Sequence, residues 1–95
     1  MLTIDKAEYI GDYTIHLRFN NGKEGAANLR NTIFDDKRPI FSDLKEESNF
    51  SAFELEHGTI TWPNRLDLAP EYLFWLAFQD NEDQRTRFER WGYVG

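Results

Sequence analysis

Cysteine is absent from this 95-residue chain. Without thiols there is no disulfide, no thiolate zinc site and no cysteine nucleophile. A reducing compartment fits that composition, and a cytoplasmic location is the expectation. No apolar run approaches the roughly 18 residues that a membrane span requires, so no membrane association is expected. The start, Met1-Leu2-Thr3-Ile4-Asp5-Lys6, has no basic segment followed by an apolar stretch, and no secretory signal is read there. Basic residues are outnumbered, 11 Lys and Arg against 17 Asp and Glu, for a net charge of −6. Nucleic-acid binders draw most of their affinity from neutralising phosphates. Here Lys37-Arg38 sits beside Asp35-Asp36, and Arg85, Arg87 and Arg90 lie among Asp80, Glu82, Asp83 and Glu89. No direct nucleic-acid binding is expected. A Gly-x-Ser-x-Gly elbow and a glycine-rich phosphate loop are both missing. His16 and His57 lack metal-ligand spacing. No cofactor, no metal set and no catalytic constellation is therefore read from the sequence.

Aromatic residues are what the chain has in plenty: 8 Phe, 4 Tyr and 3 Trp. With 40% apolar and 29% charged residues the composition is globular. A chain of this length buries only about 60–70% of its unfolded surface, so its core must be built largely from rings.

The first half reads as a β-meander. Tyr13, Ile15, Leu17 and Phe19 alternate with Thr14, His16 and Arg18, the period of a half-buried strand. Asn20-Asn21-Gly22 then signals a hairpin. A two-residue Asn21-Gly22 loop sets Phe19 opposite Glu24. A three-residue loop with Gly22 left-handed sets Arg18 opposite Glu24 and Ile15 opposite Ala27, and is preferred because it keeps like with like on both faces. Leu2 to Ile10 reads as a preceding strand with a bulge or bend around Lys6-Ala7. A second hairpin flanks His57-Gly58. It pairs Leu55 with Ile60 and Phe53 with Trp62 on one face, and Glu54 with Thr61 and Glu56 with Thr59 on the other. Between the hairpins, Ile33-Phe34, Ile40-Phe41, Leu44 and Phe50 read as anchors on short helical turns. Pro39 prevents one long helix, and Phe50 reads as the start of a brief one. Pro63 ends the strand, and Pro70-Glu71 starts a helix whose stretch Tyr72 to Phe78 is apolar all round, so it is buried or shared with a partner. From Gln79 a further helix is expected, with Asn81 as cap, Gln84 in the capping-box position and Gly92 as the stop. The expected class is α+β: two antiparallel hairpins or meanders with short helices. Residues 1–78 form the domain, and 79–95 a C-terminal helical extension packing on the domain or on a partner chain.

One ordered set of residues resembles a known family. A strand ending in an Asn-Gly turn is followed by Leu29, Phe41-x-x-Leu44 and Phe50. Then comes Ile60-x-Trp62-Pro63-Asn64-x-x-Asp67-x-x-Pro70-Glu71-x-Leu73. This pattern resembles the domain of unknown function 2442 family of bacterial proteins, from about Met1 to Phe74. Asn28 stands where the family usually has an acid, and Phe74 where tyrosine is common. The resemblance implies a small α+β domain and no established activity. It also implies, from gene neighbourhoods, toxin–antitoxin-like pairs.

The candidate interaction residues are Asp67, Glu71, Trp75, Phe78, Trp91 and Tyr93. Asp67 is expected to cap the helix or hold the loop through backbone N–H groups, or else to present charge with Glu71 to a partner. Trp62 is expected in the core. His16, Arg18 and Glu24 form a candidate polar face, read as an exposed sheet face or as an anion or acid–base site. The leading expectation is a small, non-catalytic interaction module, homo-oligomeric because so many aromatics strain a chain of this size. The alternatives are an antitoxin-like or regulatory partner neutralising a basic protein, and an enzyme, which a pocket joining His16, Arg18 and Glu24 would favour.

Overall fold

Strand β1 (Ile4–Gly11) turns into β2 (Thr14–Phe19) and β2 into β3 (Glu24–Asn28), an antiparallel sheet in sequence order. The computed structural model describes residues 1–93. Ile15, Leu17 and Phe19 are fully buried, as their alternation requires, and Arg18 lies opposite Glu24 with Ile15 opposite Ala27. That is the three-residue register. The Lys23 carbonyl accepts from Phe19 N–H, and Gly22 supplies the left-handed φ of 85°. Strand β1 is bulged twice, at Asp5 and at Ile10, where its register against β2 skips.

The β1–β2 turn departs from expectation. Tyr13 is not a strand residue. It sits with Asp12 in a two-residue turn, and both are left-handed at φ 58° and 51°. Each such non-glycine residue costs about 1–2 kcal/mol. Tertiary contacts hold the turn in place. The Tyr13 ring meets Phe34 and Phe50, each at 5.2 Å, its hydroxyl donates to the Lys45 carbonyl, and Arg30 pairs with Asp12 at 2.8 Å.

Short helices α1 (Arg30–Asp35), α2 (Pro39–Ser42) and α3 (Glu47–Phe50), with a 3-10 turn over Asp43–Lys45, connect the two sheets. Pro39 opens α2 at its first turn. Phe50 closes α3 rather than starting a helix, because the amide N–H groups of Asn49 and Phe50 both bond to the Glu46 carbonyl.

The second sheet is also three-stranded and antiparallel: β4 (Glu54–Glu56), β5 (Thr59–Thr61) and β6 (Asp67–Leu68). The His57-Gly58 turn gives the expected register, Glu54–Thr61, Leu55–Ile60 and Glu56–Thr59. Strand β6 is an addition to the sequence reading. Beyond Trp62 the chain reverses through Pro63-Asn64-Arg65, with Arg65 left-handed at φ 73°, and Trp62 N–H bonds to the Leu66 carbonyl. Asn64 ties this loop down: its Oδ1 accepts from Leu66 N–H at 3.1 Å and its amide donates to the Ile40 carbonyl at 2.9 Å.

Helix α4 (Pro70–Phe78) lies against β3, and a 3-10 turn (Glu82–Gln84) leads into α5 (Arg85–Trp91). Asn81 caps the 3-10 turn, accepting from Asp83 N–H at 2.9 Å. Gly92 closes α5 at φ 86°, with Tyr93 N–H returning to the Phe88 carbonyl. Both sheets and the helices share one core, in which Trp62 is 3% exposed.

Candidate functional site

Each sheet turns one face inward and one outward, and the outward faces carry the chain's polar chemistry. On the first sheet, cross-strand pairing builds two rows, Lys6–Arg18–Glu24 and Glu8–His16–Ala26. Paired residues share a face, so His16, Arg18 and Glu24 are brought together, and they line one shallow groove with Lys6 and Glu8. No side-chain hydrogen bond or ion pair joins these five residues. An acid–base pair needs its base oriented by a partner, and His16 has none among the described residues. Two cations, Lys6 and Arg18, face each other directly in the same groove.

The outer face of the second sheet has a different balance. Thr61 pairs with Glu54 on one side and with Asp67 on the other, so Glu54, Thr61 and Asp67 form a row across all three strands. Glu56 pairs with Thr59 and lies on the same side. The three carboxylates, with His57 and Arg65, line one depression whose inner wall is Trp62-Pro63. All three acidic residues are exposed, and none makes a side-chain hydrogen bond or an ion pair among the described residues. Elsewhere several arginines are engaged. Arg38 holds both oxygens of Asp36, and this holds the Asp36 carboxyl below the usual carboxylate range. Arg85 meets Glu89 at 3.0 Å, and Arg87 lies over the Phe74 and Trp91 rings.

Asp67 does not cap α4, in contrast to one expectation from the sequence. The N-cap is Ala69, which offers no side-chain acceptor, and the loop is held by Asn64. The reason is positional: Asp67 is a strand residue, and Leu68 and Ala69 separate it from the first turn. Glu71 sits half-buried in that first turn. Burial pushes the Tyr93 phenol up, and the nearby Glu71 carboxylate adds to the effect.

The aromatic candidates face one another. Tyr93 stacks on Trp75 at 5.5 Å and 23°. Trp91 and Phe88 both meet Phe74, each at 6.0 Å, and Phe78 lies 4.6 Å from Phe74. Trp75, Phe78, Trp91 and Tyr93 are all partly buried against the core. They thus join the tail to α4 within one chain.

The chain matches the family described as protein of unknown function (DUF2442) over residues 4–79. It belongs to this family. No curated protein and no solved structure matches it. Of the residues that carry the DUF2442 resemblance, Ile60, Trp62 and Leu73 are core and Asn64 braces a loop. Of its two acidic positions Asp67 is exposed and Glu71 half-buried, and neither carboxylate makes an ion pair among the described residues.

Glu54 and Glu56 were not singled out by the sequence reading, although its hairpin register already placed both on the polar face. What hid their relation to Asp67 was β6, a two-residue strand too short to leave a period. No group of three or more His, Asp or Glu among the described residues is placed to hold a metal ion. Among the described residues no helix is long and apolar enough to cross a membrane.

Proposed function

We propose that this protein is a non-catalytic interaction module that binds a basic protein partner through the outer face of its second sheet. The observation that carries this reading is the Glu54–Thr61–Asp67 row beside Glu56: three exposed carboxylates on a rigid sheet, unneutralised within the chain, against the single guanidinium of Arg65. Complementary charge speeds association and selects partners. Self-association through this face would oppose like charges. The aromatic surplus, which motivated a homo-oligomer, is largely absorbed by the packing of α5 on α4. The groove with His16, Arg18 and Glu24 does meet the condition set for the enzyme alternative, but it brings no oriented base and no nucleophile to one point.

The test is capture from the cells that make the protein, at near-physiological salt. The wild type is compared with a Glu54→Lys/Glu56→Lys/Asp67→Lys variant and with a control that reverses Glu46, Asp80 and Glu82 instead. The expected result is a partner held by the wild type and the control and lost by the face variant. Equal retention by all three, equal loss from both variants, or no partner at all overturns the proposal.

A further inference from the structure

Strand β4 is an edge of the second sheet, and its pattern specifies what can be added to it. The His57-Gly58 turn makes Glu56 and Thr59 the pair that exchanges ladder hydrogen bonds. Leu55, the next residue, therefore turns its N–H and C=O away from β5. No backbone partner for either group exists among the described residues. All three β4 residues are exposed, Leu55 at 39%. The other sheet manages its edges differently: β1 carries two bulges, and β3 lies against α4. Strand β4 has no bulge, and β1 lies near it, with the Ile4 N–H donating to the Gly58 carbonyl at the turn rather than to Leu55. What β4 carries is charge of one sign.

That charge distinguishes between occupants. A second copy added antiparallel to β4 would bring its own Glu54 and Glu56 against this pair, which is destabilising. A segment of opposite charge meets no such barrier. We infer that the β4 edge accepts an extended basic segment of the partner as a fourth strand, its alternate residues basic beside Glu54 and Glu56 and apolar beside Leu55. Main-chain bonds to Leu55 then supply part of the affinity, and the alternation supplies the register. This inference rests on the acidic-face reading and adds a binding mode to it.

The probe is the acetylated, amidated peptide Lys-Val-Lys-Val-Lys, with an analogue N-methylated at both valines. The analogue keeps every charge and loses the donor aimed at the Leu55 carbonyl. Binding is read by NMR titration, together with exchange of the Leu55 amide hydrogen. The expected result is slowed Leu55 exchange on binding, and affinity about fivefold weaker for the analogue, as loss of the donor to the Leu55 carbonyl implies. Equal binding of both peptides without Leu55 protection overturns strand addition. If Glu54→Lys/Glu56→Lys/Asp67→Lys then abolishes that binding, the acidic-face reading stands alone. Failure of both peptides to bind also overturns strand addition, leaving the face to its own capture experiment. A dimer that protects Leu55 without any peptide overturns it in favour of a second copy.

Discussion

Trp62 shows how much one side chain of this chain carries. Its ring is buried beside Phe50 at 5.8 Å and Phe53 at 6.4 Å, and its indole N–H donates to the Phe50 carbonyl at 2.8 Å. Replacing it with phenylalanine keeps a ring but removes the donor. The Phe50 carbonyl then loses its partner inside the core, at a cost of about 1–3 kcal/mol, and the smaller ring leaves a void that adds to it. Trp62→Phe should lower the urea midpoint with the slope unchanged, and an unaltered midpoint would mean that the buried bond contributes nothing. Asp67, five positions on, is the contrast. Its carboxylate has no bond within the described chain, and this is why its role is sought outside it.

The contact between β3 and α4 depends on what a strand residue leaves out. A Cβ built on Gly25 would lie 3.0 Å from the Phe78 ring and 3.4 Å from the Ala77 methyl. Two effects oppose each other in Gly25→Val. Valine suits a strand by up to about 1 kcal/mol, whereas overpacking a close contact costs about 1–3 kcal/mol. The steric effect should win, because the clash is with a ring that is itself packed on Phe19 and Phe74. Gly25→Val is therefore expected to lower the melting temperature. In a double-mutant cycle Phe78→Ala should recover part of the loss. A stabilised Gly25→Val protein would show that α4 yields readily from the sheet. The same helix explains how a segment apolar all round is accommodated: Phe74 and Phe78 meet the first sheet through Phe19, and Trp75 meets the tail through Tyr93.

Across the whole molecule, the tail and the domain share one core. The DUF2442 match ends at Gln79, yet Phe88, which is 1% exposed, lies beyond it and packs on Phe74. Removing residues 80–95 deletes Phe88 and Trp91 and uncovers Phe74. Loss of one buried phenylalanine costs about 3–5 kcal/mol, against a total stability of about 5–15 kcal/mol for a domain. The truncated chain is expected to lose its near-ultraviolet circular dichroism and to unfold at much lower urea. A fully cooperative, stable 1–79 fragment would show the tail to be a separable addition.

Local chemistry was legible in the residues, and long-range placement was not. The alternation of Ile15, Leu17 and Phe19, the Asn20-Asn21-Gly22 loop and the His57-Gly58 turn specify their strands and registers, because period and turn type are properties of adjacent residues. Pro70 and Gly92 mark helix ends for the same reason. The Asp12-Tyr13 turn leaves no such mark. Its left-handed residues are held by Phe34, Phe50, Arg30 and Lys45, all distant in sequence. Strand β6 is two residues long and exists only because Asn64 and Arg65 fold it back onto β5. The acidic row therefore came into view only in three dimensions: Glu54 and Asp67 become neighbours through a strand pairing that no period in the chain announces. The direction taken by the aromatic tail was likewise open in the sequence. Burying rings against α4 or against another chain relieves the same apolar surface, and only the packed geometry distinguishes the two.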